Sequence, residues 1–227
     1  MTSSISERLS AVSERIRAAE RQTGRPEGAV RLVAVSKTRP ASDVREAYGC
    51  GQRDFGENHL QEAMAKQDEL AGVDIVWHFI GPIQSNKTRP ITSRFDWVHS
   101  VDRLKIAERL SEQRPDGLPP LNVCIQVNVS GEASKGGVAW HELTELAEAV
   151  ARLPRLRLRG LMAVPAPEDD PVRQRAPFRA LLQAFEGLQR LGLDTLSMGM
   201  SDDLEAAIAE GATLVRIGTA LFGSRSG

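Results

Sequence analysis

The chain is poor in the residues that would announce a metal, disulfide or nucleotide site. Of 227 residues only Cys50 and Cys124 are cysteines. Neither stands in a CxxC or other metal-ligand spacing, which excludes a disulfide scaffold and a cysteine-based metal centre. Both read as free thiols of a reducing cytosol. The histidines, His59, His78, His99 and His141, are scattered and form no HExxH, so no metal site is expected. Basic and acidic residues nearly balance at 29 and 30, for a net charge of -1. This leaves no electrostatic case for a nucleic-acid or anionic-membrane partner. No apolar run approaches the length of a membrane span. The first twenty residues are polar and amphipathic, without the apolar core of a secretory signal. A cytoplasmic location is the expectation. The GxGxxG fingerprint of dinucleotide folds is absent. "GPIQSNKT" (81–88) fails as a phosphate-binding P-loop because Asn86 stands where glycine is required. It reads instead as a polar loop and helix start.

What is present is alternation. Ile5, Leu9, Val12 and Ile16 form one apolar stripe at helical spacing. After Gly24 and Pro26 come eight short apolar runs: Leu32–Val35, one around Phe55, Ile75–Gly81, Trp97–Val101, Val123–Val129, Arg159–Val164, Thr195–Met200 and Leu214–Gly218. Amphipathic stretches separate them. Clear ones carry Leu104, Ala107 and Leu110; Leu143, Leu146 and Val150; Phe178, Leu181, Leu182, Phe185 and Leu188; and Leu204, Ala207 and Ile208. Continuous apolar strands alternating with helices indicate a parallel sheet covered on both faces. Eight such units in 227 residues predict a (β/α)8 TIM barrel preceded by an extra helix, one domain over residues 1–227. The segment Pro165–Pro177 reads as a loop within it, free to move.

In such a barrel the chemistry sits at the C-terminal strand ends, and phosphate sites favour the loops after strands seven and eight. Those loops are "SMGMSDDLEAAI" and "RIGTALFG". Ser197, Gly199 and Ser201 in the first, and Gly218 and Thr219 in the second, combine small residues with hydroxyl donors ahead of helices. Taken singly, each loop is also ordinary turn and cap chemistry. Barrel closure brings strand eight beside strand one, which ends in "AVSKT" with Lys37. An amine beside a phosphate cup suggests a Schiff base with a phosphorylated aldehyde, and pyridoxal 5'-phosphate fits. A strand simply emerging into solvent is the plainer account of that lysine. Arg216, in an otherwise apolar run, is either a core arginine paired with a carboxylate or the group facing the pyridine nitrogen. An arginine only donates, so it would keep that nitrogen unprotonated and the ring a poor electron sink.

The segments "AVSKT", "FGENHLQE", "WHFIGPIQSNKTR", "SVD", "LRGLMAV", "LSMGMSDDLEAAI" and "VRIGTALFG" resemble the pyridoxal phosphate homeostasis family over almost the whole chain. That family is similar to the N-terminal barrel of bacterial alanine racemase, fold-type III of the pyridoxal enzymes. The resemblance implies pyridoxal 5'-phosphate as cofactor and Lys37 as the residue forming the internal aldimine. It implies that Arg216 faces the pyridine nitrogen and that Ser201, Gly218 and Thr219 hold the phosphate, with backbone from Ser197–Met200. It places Asn58 and His78 near the cofactor, although a satisfied core histidine accounts for His78 equally well. Lys135 matches a family lysine implicated in holding or passing a second cofactor molecule; a solvated loop lysine is the plainer account. Arg39 stands where relatives often carry lysine and cannot form an aldimine.

Racemization needs a base on each face of the cofactor. Alanine racemase takes its second base, a tyrosine, from a C-terminal domain, and none is expected in this chain. The one tyrosine, Tyr48, occupies a packing position four residues after Val44. The expectation is therefore a monomeric, non-enzymatic carrier that holds pyridoxal phosphate and delivers it to apo-enzymes. A low-activity amino-acid racemase and a Schiff-base aldolase are the alternatives.

Overall fold

The apolar stripe of the first segment folds as one helix, α1 (Ile5–Gln22), with Ile5, Leu9, Val12, Ile16 and Ala19 buried. Ser4 starts it: its hydroxyl accepts from the Glu7 N–H while the Glu7 carboxylate accepts from the Ser4 N–H. This reciprocal cap satisfies two backbone donors that a helix start otherwise leaves open. In the computed structural model, which describes residues 4–131 and 136–223, the chain then alternates strand and helix eight times. The strands are β1 (Arg31–Val35), β2 (Asp54–Glu57), β3 (Val76–Phe79), β4 (Trp97–Val101), β5 (Leu121–Gln126), β6 (Leu156–Met162), β7 (Thr195–Ser197) and β8 (Leu214–Ile217). They pair in parallel in sequence order and close, β1 against β8 with Val33 opposite Arg216. The outer helices are α2 (Ala41–Gly49), α3 (Leu60–Glu69), α4 (Thr88–Arg94), α5 (Leu104–Gln113), α6 (Leu143–Ala151), α7 (Pro171–Gly187), α8 (Leu204–Ala209) and α9 (Thr219–Phe222). No described helix is long and apolar enough to cross a membrane.

Strand residues alternate between the barrel axis and the helix layer. Val33, Trp97, Cys124, Met162 and Leu214 form a small inner cluster, and the large apolar core lies between strands and helices. By the same alternation Ser36 and Glu57 turn toward the helices, while Lys37, His78, His99, Ser197 and Arg216 turn toward the axis. Two glycines permit the wall to close. A Cβ on Gly160 would lie 1.7 Å from the Thr195 carbonyl oxygen, beside the register shift between β5 and β6. A Cβ on Gly81 would lie 2.2 Å from the Asn58 carbonyl oxygen.

The expected barrel and extra helix are found; β5 and β7 end earlier than expected, and β6, α5 and α7 also differ locally. β6 begins at Leu156, three residues before the expected edge, and takes in exposed Arg157. At the open rim of the barrel a polar side chain costs little, so hydropathy cuts the strand short. Leu104, expected on the buried stripe of α5, is 38% exposed and Ile106 is buried instead. Half of the expected loop Pro165–Pro177 is helix. Asp170 caps α7 by accepting from the Val172 and Arg173 N–H groups, and Pro171 suits the first turn. Pro177 is carried inside the helix.

Candidate functional site

Lys37 follows β1 and opens onto a cavity of about 400 Å³ at the C-terminal mouth of the barrel. The wall is shared by Lys37, Met200, Ser201, Arg216, Gly218 and Thr219, together with Arg15 from α1. Six expected residues, drawn from the end of β1, the β7 loop, β8 and the β8 loop, thus meet in space because the barrel closes. Among the described residues the Lys37 amine has no hydrogen-bond or ion-pair partner. Gly218 packs tightly: a Cβ there would stand 3.3 Å from the Val35 carbonyl oxygen. The Ser201 hydroxyl faces the neighbouring loop and accepts from the Ala220 N–H at 3.4 Å. Arg15 was not apparent in the sequence, since it lies on the polar face of its helix. It donates to the Ser201 carbonyl at 3.0 Å and pairs with Glu205 at 2.8 Å, tying α1 to the cup.

Arg216 is 4% exposed. It donates from Nη1 to the Ser197 hydroxyl at 2.7 Å and from Nη2 to the Ala163 carbonyl at 2.9 Å. No carboxylate of the described residues pairs with it. A core arginine locked in a salt bridge is thereby set aside. Burial pushes its pKa down to about 10, so it stays charged at neutral pH. The Asp203 carboxylate favours its charge from a distance without a direct ion pair, and the guanidinium also lines the cavity.

The hydrogen bonds continue inward. Ser197 Oγ lies 2.7 Å from His99 Nδ1, His99 Nε2 lies 2.9 Å from His78 Nδ1, and His78 Nε2 lies 2.9 Å from Asp54 Oδ1. Asp54 also pairs with Arg31 at the opposite rim. Proton positions follow from the two ends. Arginine only donates, so Ser197 accepts from it and is left with one hydrogen for His99 Nδ1. A carboxylate only accepts, so His78 carries its hydrogen on Nε2. Each imidazole is then neutral and protonated at Nε2, donating toward Asp54. Burial, the largest cause in both, holds His78 below its ordinary pKa and His99 well below.

The remaining expected residues lie apart from the cavity wall. His78 is fully buried and reaches Arg216 only through His99 and Ser197, so the core-histidine account describes its place in the fold. Ser197 itself is buried behind Arg216. Asn58, just after β2, lines a separate depression of about 260 Å³ with His59, Gln84 and Lys87. Its side-chain oxygen is buried without a partner among the described residues. Arg39 is tied to the Gly223 carbonyl. Lys135 lies outside the described residues. Tyr48 packs at the edge of the core under the Arg53 guanidinium, 3.9 Å from its ring centre.

Fold and cavity together define a class, the closed (β/α)8 barrels with a free lysine amine, a hydroxyl- and glycine-lined cup and a buried arginine at one mouth. The chain belongs to the family described as alanine racemase, N-terminal domain, whose model matches residues 8–226. It is 66% identical over 223 residues to the Pyridoxal phosphate homeostasis protein of Pseudomonas aeruginosa, covering 98% of this chain and 96% of that one. Identity to the protein of the same name in Escherichia coli K12 is 56% over 226 residues, 97% of each chain. PipY of Synechococcus elongatus, solved with PLP bound, superposes with a TM-score of 0.84 at 39% identity over 96% of this chain and 100% of its own. Alanine racemase from Corynebacterium glutamicum shares the fold alone, at 19% identity and TM-score 0.71 over 96% of this chain and 62% of its own.

Proposed function

We propose that this chain binds pyridoxal 5'-phosphate at the barrel mouth and serves its homeostasis by holding it and passing it to apo-enzymes, without robust turnover. The observation that carries the reading is the unpartnered amine of Lys37 on the wall of a cavity that also presents Ser201, Gly218, Thr219 and Arg216. These residues fit the group: an amine for an aldehyde, hydroxyls and close backbone for a phosphate, and a charged donor for a ring nitrogen. When bound, the cofactor supplies an aldehyde that condenses with amines and a ring that withdraws electrons.

The residues around it favour retention over catalysis. Arg216 stays charged and only donates, so it offers the ring nitrogen a hydrogen bond without giving up a proton. The serine and histidines behind it hold that orientation. Proton transfer at the ring would need a base on each side of it. Lys37 supplies one. Tyr48 is packed away on α2, and Asp202, next to Ser201, lies at the phosphate end. The relatives named as homeostasis proteins support the same reading.

Borohydride reduction of protein loaded with pyridoxal phosphate should fix the pyridoxyl mass on the peptide holding Lys37, and Lys37→Ala should lose it while keeping its fold. Main labelling at another lysine would overturn the assignment. Measurable loss of optical activity from an L-amino acid would overturn the carrier reading in favour of a racemase.

A further inference from the structure

Among the described residues Lys37 has no side-chain partner, so its position is set by the backbone on either side of it, and that backbone is held by charges from the next βα unit. The Lys66 ammonium on α3 donates to the Ser36 carbonyl at 2.7 Å, to Glu57 Oε1 at 2.6 Å and to Glu62 Oε1 at 3.1 Å. All three of its hydrogens are thereby used. The Ser36 hydroxyl donates to the same Glu57 oxygen at 2.6 Å. On the other side of Lys37, the Thr38 N–H donates to Glu62 Oε1. Thr38 has φ 64°. The left-handed region is uphill for a β-branched residue and persists only where its surroundings impose it.

The cluster is costly for a purely structural device. Lys66 is 4% exposed and Glu57 fully buried. Burial raises the Glu57 pKa against the pull of Lys66, and its second oxygen has no partner among the described residues. A buried ion pair of this kind is often replaceable by apolar residues without loss of stability. Its effect here is local: it grips the residue before Lys37 and the residue after it.

We propose that Lys66, Glu57 and Glu62 are positioning residues that hold the Ser36–Thr38 turn so that the Lys37 amine meets an aldehyde at the mouth cavity. The inference rests on Lys37 being the attachment residue. It predicts a selective defect. Pyridoxal phosphate needs the amine, whereas pyridoxamine phosphate uses the same cup but has no aldehyde to react.

The test compares wild type, Lys37→Ala, Lys66→Met and Glu62→Ala for binding of both compounds, with circular dichroism to establish folding. Lys66→Met should weaken retention of pyridoxal phosphate at least tenfold and leave pyridoxamine phosphate within about twofold of wild type. Glu62, at 31% side-chain exposure, is the variant least prone to misfold, and Glu62→Ala should show the same selectivity to a smaller degree. Adding Thr38→Gly to Glu62→Ala should restore attachment, because glycine takes the left-handed turn without steric strain. Equal losses for the two compounds, or no loss in the folded variants, would overturn the clamp. Failure of the Lys37 reading looks different: Lys37→Ala would then bind pyridoxal phosphate as well as wild type does.

Discussion

The guanidinium of Arg216 fixes more than its own contacts, because a group that only donates dictates the direction of every hydrogen bond behind it. Both His78 and His99 should therefore appear in nitrogen-detected NMR spectra as neutral Nε2–H tautomers, with midpoints below the ordinary value of 6.5. A protonated ring, or an Nδ1–H tautomer in either, would break the inferred direction. The proposed phosphate contacts are tested one side chain at a time. Thr219→Ala removes a hydroxyl, and a hydrogen bond to a charged group contributes about 1.5–3 kcal/mol, so cofactor affinity should fall roughly 10- to 150-fold. Gly218→Leu should do more damage, since even a Cβ meets the end of β1 at 3.3 Å. Equilibrium titration with pyridoxal phosphate measures both, and pyridoxal lacking the phosphate should be held poorly by wild type.

Among the elements, two substitutions should act in opposite directions. Gly160→Ala places a methyl 1.7 Å from the Thr195 carbonyl oxygen, which is backbone and cannot swing aside. β6 and β7 would have to part, and the expected outcome is loss of cooperative thermal unfolding or of soluble protein. Pro177 sits inside α7, where proline lacks an N–H and crowds the preceding turn. That penalty is about 3 kcal/mol in a regular helix, less up to ~1 kcal/mol that proline returns by stiffening the unfolded chain. Pro177→Ala should therefore raise stability by roughly 2 kcal/mol in urea denaturation. No gain would mean that the helix has already bent around the ring. Helix α1 belongs to this scale too, because it carries Arg15 to the cup through Glu205 and the Ser201 carbonyl.

For the whole molecule, the buried imidazoles link stability to pH. Their folded pKa values lie below the unfolded 6.5. As the pH falls through about 6.5 the unfolded chain takes up protons that the folded rings refuse. The unfolded state then binds more protons, and stability drops with pH by up to ~1.4 kcal/mol per unit for each histidine. Glu57 and Asp203, both raised chiefly by burial, act in the opposite sense over their own windows above the ordinary carboxylate values. The net expectation is a maximum near neutral pH and a decline on the acid side, which urea midpoints across the range check. A flat profile from neutral pH to about 5.5 would mean that the two imidazoles titrate alike in both states.

The eight apolar runs, the stripe of α1 and the residues of the cup were legible because burial writes a period into the sequence and strand ends carry the mouth loops. Strand order placed Lys37 beside Ser201, Gly218 and Thr219 before any coordinates, since a closed parallel barrel brings its last strand to its first. What the sequence could not show are contacts between residues with no common spacing. Lys66 and Glu62 reach Ser36 and Thr38 only because the fold brings α3 to the end of β1. His99 joins His78 to Ser197 only because β3, β4 and β7 turn those side chains into one interior. Arg15 reaches the cup only because α1 crosses the eighth βα unit. The left-handed turn at Thr38 is the sharpest case: nothing in a threonine announces it, and the charges that hold it come from another element. Periodicity is a property of one segment and survives in the linear chain, whereas a hydrogen bond between elements exists only once both have been packed.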